Sequence, residues 1–206
     1  MIKAIFFDLD GVLTLDKTGT ITESKYFANK TGIDFQKLFE HKCKFDQRED
    51  SDKLKTADIW KFICEKCAVE FNPDWIKEAF KSAPIDDKMV AIAKKLKRKY
   101  KIGIITDNKA ERVKVIVEQN NLKNLFESIV VSSEVGSTKR QPKIFEVAMQ
   151  SLGVKPEECI FIDNSQRNVD IARQVGMLGI YFDDEVRDYS EIDKLVNNVK
   201  SKEKLL

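Results

Sequence analysis

Short apolar runs alternate along this sequence with stretches of helical periodicity, and this pattern predicts a parallel β-sheet covered by helices. The run Ala4–Phe7 is typical of a strand that is buried on both faces. The other predicted strands are residues 102–105, 129–131, 159–162 and 178–182, and a last helix is predicted over residues 189–199. Because strands and helices alternate with short links, the sequence indicates an α/β fold with helices on both faces of the sheet.

A long segment between the first two predicted strands, roughly residues 15–84, contains no convincing strand. Its apolar residues recur at helical spacing in three groups that begin at Phe35, Ile59 and Ile76. The middle of this segment, residues 42–55, is strongly charged, so we expect a loop or an exposed helix there. The segment as a whole therefore predicts a helical insertion.

Polar residues cluster where three of the predicted strands end. The clusters are Asp8 with Asp10, Thr106 with Asp107 and Asn108, and Asp163 with Asn164. Since open parallel sheets bind ligands beyond the carboxyl ends of their strands, we expect these clusters to share one site. Two carboxylates in close proximity repel each other, and a divalent cation relieves that repulsion. The alternative for the first cluster alone is an exposed acidic turn that closes a hairpin.

Composition excludes several classes of protein. The chain has 206 residues, of which 42% are hydrophobic and 34% charged, and its formal net charge is +2. We therefore expect no nucleic-acid partner and no attraction to an anionic membrane. No apolar run approaches the length of a membrane span, and the first residues lead directly into a strand without a secretory signal. These features predict a cytoplasmic protein, present as a monomer or a homodimer.

The four cysteines do not predict a metal or redox centre. Cys64 and Cys67 form a C-x-x-C pair, but they lie within a predicted helix, and the chain's only histidine is His41. Sparse cysteine usage suggests free thiols in a reducing compartment. We expect Cys64 and Cys67 to be core or partly buried thiols.

Four stretches resemble the motifs of the haloacid dehalogenase superfamily, and they occur in that family's order. Residues 8–14 match the first motif, a strand followed by D-x-D-G and a threonine. Residues 104–108 resemble the second, a strand ending in Thr or Ser, and residues 139–145 resemble the third, a lysine before P-x-I-F. Residues 161–165 resemble the fourth, a strand ending in paired acids. The joint match is specific, although each piece alone is weak.

The resemblance implies a domain organisation. It predicts a Rossmann-like, three-layer α/β/α catalytic core formed by residues 1–15 and 85–206. Residues 16–84 are similar to the family's inserted all-helical cap domain of the first type.

The resemblance also implies catalytic roles for individual residues. Asp8 is expected to attack phosphorus and form an aspartyl-phosphate, and Asp10 to serve as general acid and then general base. Lys139 is expected to neutralise charge between the nucleophile and the phosphate. The expected phosphate-binding residues are Thr106, Asp107, Asn108 and Lys139.

The implied cofactor is Mg²⁺. Asp8, the main-chain carbonyl of Asp10 and Asp163 are the expected metal ligands, with waters completing the octahedron. Asn164 stands where the family has a second acid, and we expect it to hydrogen-bond a metal-bound water. Since Asn164 carries no charge, it is expected to weaken magnesium affinity. The lysine motif also departs from the family, because it reads K-R-Q-P where K-P-x-P is common.

A second aspartate motif competes with the first. Residues 16–22, Asp-Lys-Thr-Gly-Thr-Ile-Thr, closely resemble the phosphorylation motif of P-type cation pumps, which would make Asp16 the nucleophile. The chain has no membrane spans, and Asp8 directly follows a buried strand, so we expect Asp8 to be the nucleophile. Thr14, Asp16 and Lys17 are expected where the core passes into the cap.

The resemblance therefore predicts a magnesium-dependent phosphatase that acts on a small phosphorylated metabolite. A haloacid dehalogenase typically lacks the second aspartate, so Asp10 favours phosphoryl chemistry. The alternatives are a phosphomutase of the same superfamily and a non-catalytic binding protein. Lys42, Lys44 and Arg48 are candidates for contacting a second anionic group of the substrate, but we expect them to form a charged surface loop.

Overall fold

A computed structural model describes residues 1–48 and 54–195, and its centre is a five-stranded parallel sheet. The strands are β1 (Ala4–Phe7), β2 (Lys101–Thr106), β3 (Ser128–Val131), β4 (Cys159–Asp163) and β5 (Leu178–Tyr181). Their order is β3-β2-β1-β4-β5, and every neighbouring pair is parallel. The predicted α/β fold is therefore confirmed, and β1 lies in the middle of the sheet.

Four helices connect the end of β1 to the helix before β2. They are α1 (Gly19–Thr31), α2 (Phe35–Asp46), α3 (Thr56–Lys66) and α4 (Asp74–Lys81), followed by α5 (Asp87–Leu96). After β2 come α6 (Ala110–Gln119), α7 (Ser132–Val135), α8 (Pro142–Leu152) and α9 (Gln166–Gln174), with a short 3₁₀-helix at Pro156–Glu158. A last helix begins at residue 190, and residues 196–199 of its predicted range lie outside the described residues.

The sheet separates two hydrophobic clusters because successive side chains of each strand point to opposite faces. Ile5 and Phe7 of β1 belong to the cluster that includes α5 and α6. Ala4 and Phe6 belong to the cluster that includes α8 and α9. All four side chains are fully buried, which explains why the sequence of β1 is uniformly apolar.

Helices α1 to α4 have a hydrophobic cluster of their own. The rings of Phe27 and Trp60 stack at its centre, with centroids 3.9 Å apart and an interplanar angle of 1°. Cys64 is buried in this cluster and Cys67 packs against it, both as free thiols, as predicted. The cluster indicates that this segment is held together largely by its own side chains.

The charged stretch 42–55 meets only part of the prediction of a loop or an exposed helix. Residues 42–46 form the last turns of α2, and Lys42 is buried, with 5% of its surface exposed. The expectation of a surface loop is therefore wrong for Lys42, because the lysine lies against acidic side chains of the helical segment, described below. Residues 49–53 of that stretch lie outside the described residues.

Backbone contacts join the two ends of the helical segment. The N–H of Leu15 donates to the carbonyl oxygen of Pro84 over 2.7 Å, and Thr14 forms an antiparallel bridge with Ile85. The chain thus leaves the sheet and returns to it at neighbouring points. Within the described residues, no helix is long and apolar enough to cross a membrane.

Candidate active site

The site begins where β1 ends. The N–H of Asp8 still donates to the carbonyl oxygen of Ile162 in β4, over 2.8 Å, and the chain then turns at Gly11, whose φ is +77°. Asp8 and Asp10 are 6% and 8% exposed. Because β1 pairs only in parallel with its neighbours β2 and β4 and both acids are buried, the exposed hairpin turn is ruled out.

Lys139 joins two of the predicted site acids. Its Nζ lies 2.7 Å from Oδ1 of Asp8 and 2.8 Å from Oδ2 of Asp163. All three side chains are buried, and Lys139 lies just before α8. The structure therefore brings together the ends of β1 and β4, as the strand-end pattern predicts, and places Lys139, which only the family resemblance indicated, between them.

The charges of this cluster are strongly perturbed. Burial raises the pKa of Asp8 to about 8, and the Asp163 and Asp10 carboxylates act in the same direction while Lys139 opposes them. Burial would lower the pKa of Lys139, but Asp8 and Asp163 outweigh it and hold that pKa above its ordinary value. The cluster thus contains a firmly protonated lysine and carboxylates that gain from additional positive charge.

Asp10 is held by a residue that the sequence analysis missed. Arg112 of α6 donates from Nη2 to Oδ1 of Asp10 and from Nη1 to Oδ2, each over 2.8 Å. Asn108 donates from Nδ2 to the same Oδ2 over 2.8 Å and accepts from Arg112 through its own Oδ1. Arg112 carries no sequence signal, because its partner lies 102 positions away in the chain.

The three residues after β2 take different positions. Thr106 is 1% exposed, and its Oγ1 accepts from Nδ2 of Asn108 over 2.9 Å. The Asp107 side chain accepts from the main-chain N–H of Lys139 over 2.8 Å. The N–H of Asn108 donates to Oγ of Ser132 over 3.0 Å. All three predicted residues line the same cavity, and Asp107 also fixes the backbone of the lysine loop.

Asn164 lies against the turn that contains Asp10. A Cβ atom at Gly11 would stand 2.1 Å from Nδ2 of Asn164, so only glycine permits this approach. Asp163 is fixed further by the N–H of Ser165, over 2.7 Å, and by the buried Asn168, which the sequence did not indicate. Oδ1 of Asn168 is buried without a hydrogen-bond partner in the described chain.

Most of these residues, though not the fully buried Asp163, line one cavity of about 500 Å³, which helix α1 and the ends of α2 and α3 also border. Glu23 of α1 is buried in this wall and accepts from the indole N–H of Trp60 over 2.7 Å. Nζ of Lys42 lies 3.8 Å from Oε2 of Glu23 and 2.6 Å from Oδ1 of Asp46. The cavity therefore lies between the sheet end and the helical segment.

Asp16 has structural partners. Its carboxylate accepts from Oγ1 of Thr22 over 2.9 Å and pairs with Lys25, and its main-chain oxygen accepts from Thr14. Lys17 lines the cavity and lies 3.3 Å from Asp184. Asp8 and not Asp16 directly follows the central strand, which is consistent with the predicted choice between the two aspartate motifs.

The donor set of the site fits Mg²⁺. Asp8 and Asp163 supply buried carboxylates, and Mg²⁺ is usually bound by one or two carboxylates together with water and phosphate oxygens. Among residues 1–48 and 54–195, no group of three or more His, Cys, Asp or Glu side chains is arranged to hold a metal by itself. The protein's side chains would therefore provide only part of an octahedral shell, and the metal assignment stays a prediction.

Comparison with known proteins gives a consistent result. A family model described as haloacid dehalogenase-like hydrolase matches residues 2–176. Glyceraldehyde 3-phosphate phosphatase from Pyrococcus furiosus is 26% identical over 209 residues, which cover 93% of this chain and 84% of that protein. Bifunctional epoxide hydrolase 2 from Rattus norvegicus is 26% identical over 215 residues, which cover 94% of this chain but 39% of that protein.

The fold also recurs among solved structures. A mutant HAD family enzyme from Bacteroides thetaiotaomicron, in complex with magnesium and inorganic phosphate, superposes with a TM-score of 0.68 at 24% identity. The superposition covers 88% of this chain and 94% of that one. The two chains therefore share a fold.

Proposed function

This chain belongs to the haloacid dehalogenase-like hydrolase family, as its motifs indicate, and on that premise we propose that it is a magnesium-dependent phosphatase. Its substrate is a small phosphorylated metabolite, and the reaction passes through an aspartyl-phosphate. The observation that carries this proposal is the buried contact of Lys139 with Asp8 and Asp163 at the end of the central strand. The phosphatase from P. furiosus supports the substrate class.

The reaction needs one nucleophile and one proton donor. A carboxylate oxygen of Asp8 attacks phosphorus, and the bond between phosphorus and the leaving alkoxide oxygen breaks. Asp10 gives its proton to that oxygen, so the alcohol leaves neutral. In the second half, Asp10 takes a proton from water while the water oxygen attacks phosphorus, which releases inorganic phosphate and restores Asp8.

Other side chains stabilise the transferring group. Lys139 Nζ lies 2.7 Å from Asp8 Oδ1, and a cation at that position offsets the negative charge that builds up when the carboxylate approaches a phosphate. The Thr106 hydroxyl lines the same cavity and is available to bind a phosphoryl oxygen. Both groups are buried, where a charge or a dipole acts with little screening.

Asp8 and Asp163 would hold the metal. A bound Mg²⁺ would supply positive charge at the phosphoryl oxygens and favour the ionised form of Asp8. The bound magnesium of the B. thetaiotaomicron enzyme supports this choice. We further propose that residues 16–84 act as a cap whose helices close the cavity and select the substrate.

The test is magnesium-dependent release of inorganic phosphate from p-nitrophenyl phosphate by the purified protein. Turnover with Mg²⁺, its loss in excess EDTA and its recovery on adding Mg²⁺ are the expected results. The Asp8→Asn variant should be inactive under the same conditions. The proposal is overturned if turnover is independent of Mg²⁺ or survives in Asp8→Asn, and phosphate transfer to an acceptor without net release would indicate a phosphomutase.

A further inference from the structure

The charged residues of the cavity wall are unevenly distributed. Around the nucleophile, Asp8 and Asp163 share a single cation, Lys139. The charged wall residues away from the catalytic cluster are mostly basic: Lys17, Lys42, Lys109, Arg140 and Arg167, against Glu23 and Asp46. One end of the cavity therefore suits a divalent cation, while the rest of the wall suits an anion.

Two of these lysines are already paired within the protein. Lys42 lies 2.6 Å from Asp46 and close to Glu23, and Lys17 lies 3.3 Å from Asp184. Their charges are therefore compensated without a ligand. They are not the best candidates for binding one.

Lys109 differs from both. It is half-buried, and its ammonium group donates to the main-chain carbonyl oxygen of Leu54. In the described part of the chain, no carboxylate lies within ion-pair distance of Lys109. An ammonium group has three N–H donors, and an anionic ligand would supply this half-buried one with charged acceptors in addition to the Leu54 carbonyl oxygen.

The neighbouring lysine strengthens this effect. Burial lowers the pKa of Lys109, and the positive charge of Lys42 lowers it further, against the weaker influence of Glu111, Glu23 and Asp46. Lys42 and Lys109 are thus like charges on one cavity wall. An anion bound close to the two ammonium groups would offset the repulsion between them.

Contacts of the residues on either side of Lys109 fix its position beside the catalytic site. Lys109 directly follows Asn108, whose side chain donates to Asp10 over 2.8 Å, and it immediately precedes α6. On its other side, Thr56 of α3 donates to Glu111 over 2.6 Å and fixes the start of α3 against the start of α6. The ammonium group is therefore anchored between the predicted acid/base and the helical segment.

We propose that Lys109 binds a second anionic group of the substrate, either a carboxylate or a second phosphate. The inference rests on the proposed phosphatase function and narrows its substrate class to small phosphate monoesters that carry an additional negative charge. A cavity of about 500 Å³ is large enough for such a metabolite and its reacting phosphate.

The test uses pairs of phosphate esters that differ in the second charge. 3-Phosphoglycerate and glycerol 3-phosphate differ in a carboxylate, and fructose 1,6-bisphosphate and fructose 6-phosphate differ in a phosphate. We expect the wild-type kcat/KM to favour the more charged member of at least one pair by roughly tenfold or more, the usual effect of a hydrogen bond between charged groups. The pair that shows the preference identifies the group.

Lys109→Met should bring that ratio close to one, mainly through a higher KM, whereas Lys109→Arg should retain most of it. The matched control is Lys114→Met, which removes an exposed lysine from α6, the helix that follows Lys109, at a position outside the cavity, and it should leave the ratio unchanged. An unchanged ratio in Lys109→Met, or no preference in either pair, overturns the inference.

A binding experiment separates this inference from the proposed function. The same pairs are titrated by calorimetry into Asp8→Asn and into Asp8→Asn/Lys109→Met, in which no turnover is required. Preferential binding of the more charged member that depends on Lys109 supports the inference even if the wild-type protein shows no turnover. Equal binding of both members overturns it even if the protein is an active phosphatase.

Discussion

Arg112 holds Asp10 through two parallel hydrogen bonds, each 2.8 Å long. Arg112 is 2% exposed and Asp10 is 8% exposed, so the pair is shielded from water. A planar guanidinium that meets a carboxylate in this way fixes its orientation as well as its charge. The predicted acid/base is therefore positioned by a helix that follows β2 and not by its own turn alone.

Replacing Arg112 should impair proton donation by Asp10. We expect Arg112→Met to lower kcat by about ten- to a hundredfold, since general acid catalysis contributes roughly 10² to 10⁴ and the group that orients Asp10 is lost. Arg112→Lys keeps the positive charge but loses the two parallel hydrogen bonds, so its kcat should lie between those of the wild type and Arg112→Met. The measurement is steady-state hydrolysis of p-nitrophenyl phosphate and of phenyl phosphate.

The two substrates distinguish positioning from simple damage to the fold. Phenolate is a poorer leaving group than p-nitrophenolate and depends more on protonation, so the loss should be larger for phenyl phosphate. Arg98→Met, at an exposed position, is the matched control and should change neither rate. Equal losses on both substrates would contradict a positioning role for Arg112.

Asp8 and Asp16 should respond differently to the same substitution. Asp8→Asn is expected to lower kcat by at least a thousandfold, as removal of a nucleophile does. Asp16→Asn should retain kcat within a few-fold of the wild-type value. It should lower the unfolding free energy by about 1 kcal/mol, because the Asp16 carboxylate accepts a hydrogen bond from Thr22 and forms an ion pair with Lys25. Turnover and urea denaturation of both variants check this. Loss of turnover in a stably folded Asp16→Asn would favour the pump-like motif instead.

Local patterns were sufficient to predict the sheet and the strand-end acids. Runs such as Ala4–Phe7 are buried on both faces, so their composition alone marks them as strands. The same reasoning placed Asp8 and Asp163 at strand ends that meet at one edge of the sheet, and the structure shows that their strands, β1 and β4, are neighbours.

Contacts between distant parts of the chain could not be predicted in this way. Arg112 is one polar residue on an amphipathic helix, and only the packing of α6 beside β1 makes Asp10 its partner. Lys42 lies in a charged stretch, and its burial depends on Glu23 from another helix. Residues of this kind have no periodicity or motif, because their surroundings form only in the folded protein.

Asp86 should make the protein sensitive to acid. It accepts from the N–H of Met89 over 2.9 Å, from the Tyr189 hydroxyl over 2.6 Å and from Arg187. Burial works to raise the pKa of Asp86, but these hydrogen bonds outweigh it and hold the pKa below its ordinary value. Since Arg187 also donates to the carbonyl oxygen of Gly11, this network supports the turn at the site.

The sign of the pH dependence follows from that lowered pKa. The charged carboxylate contributes its full stabilisation above the ordinary aspartate pKa of about 4, and the contribution is lost as the pH falls through the lower folded-state pKa. At pH 7, Asp86→Asn should lose roughly 1–3 kcal/mol of unfolding free energy in urea, and the difference from wild type should shrink near pH 3. The neighbouring exposed residue provides the control, Asp87→Asn, which should show a small and nearly constant difference. A difference for Asp86→Asn that stays constant with pH would contradict the role of its charge.

Gly11 and Gly32 allow backbone strain to be separated from a steric requirement of the site. Both have a left-handed backbone, with φ of +77° and +72°. Alanine at Gly32 would meet no atom within 4 Å, whereas alanine at Gly11 would meet Asn164 Nδ2 at 2.1 Å. Gly32→Ala should therefore lower the unfolding free energy only by the cost of placing alanine in the left-handed conformation, about 1–2 kcal/mol.

Gly11→Ala should lose that amount of unfolding free energy and more, because the amide of Asn164 must also move. The displacement should alter the site as well, so Gly11→Ala should lower phosphatase turnover while Gly32→Ala, at the exposed end of α1, should not. Urea denaturation and p-nitrophenyl phosphate hydrolysis of the two variants measure both effects. Equal losses of stability with unchanged turnover would show that Asn164 tolerates displacement, and the close approach at Gly11 would then have no importance for the site.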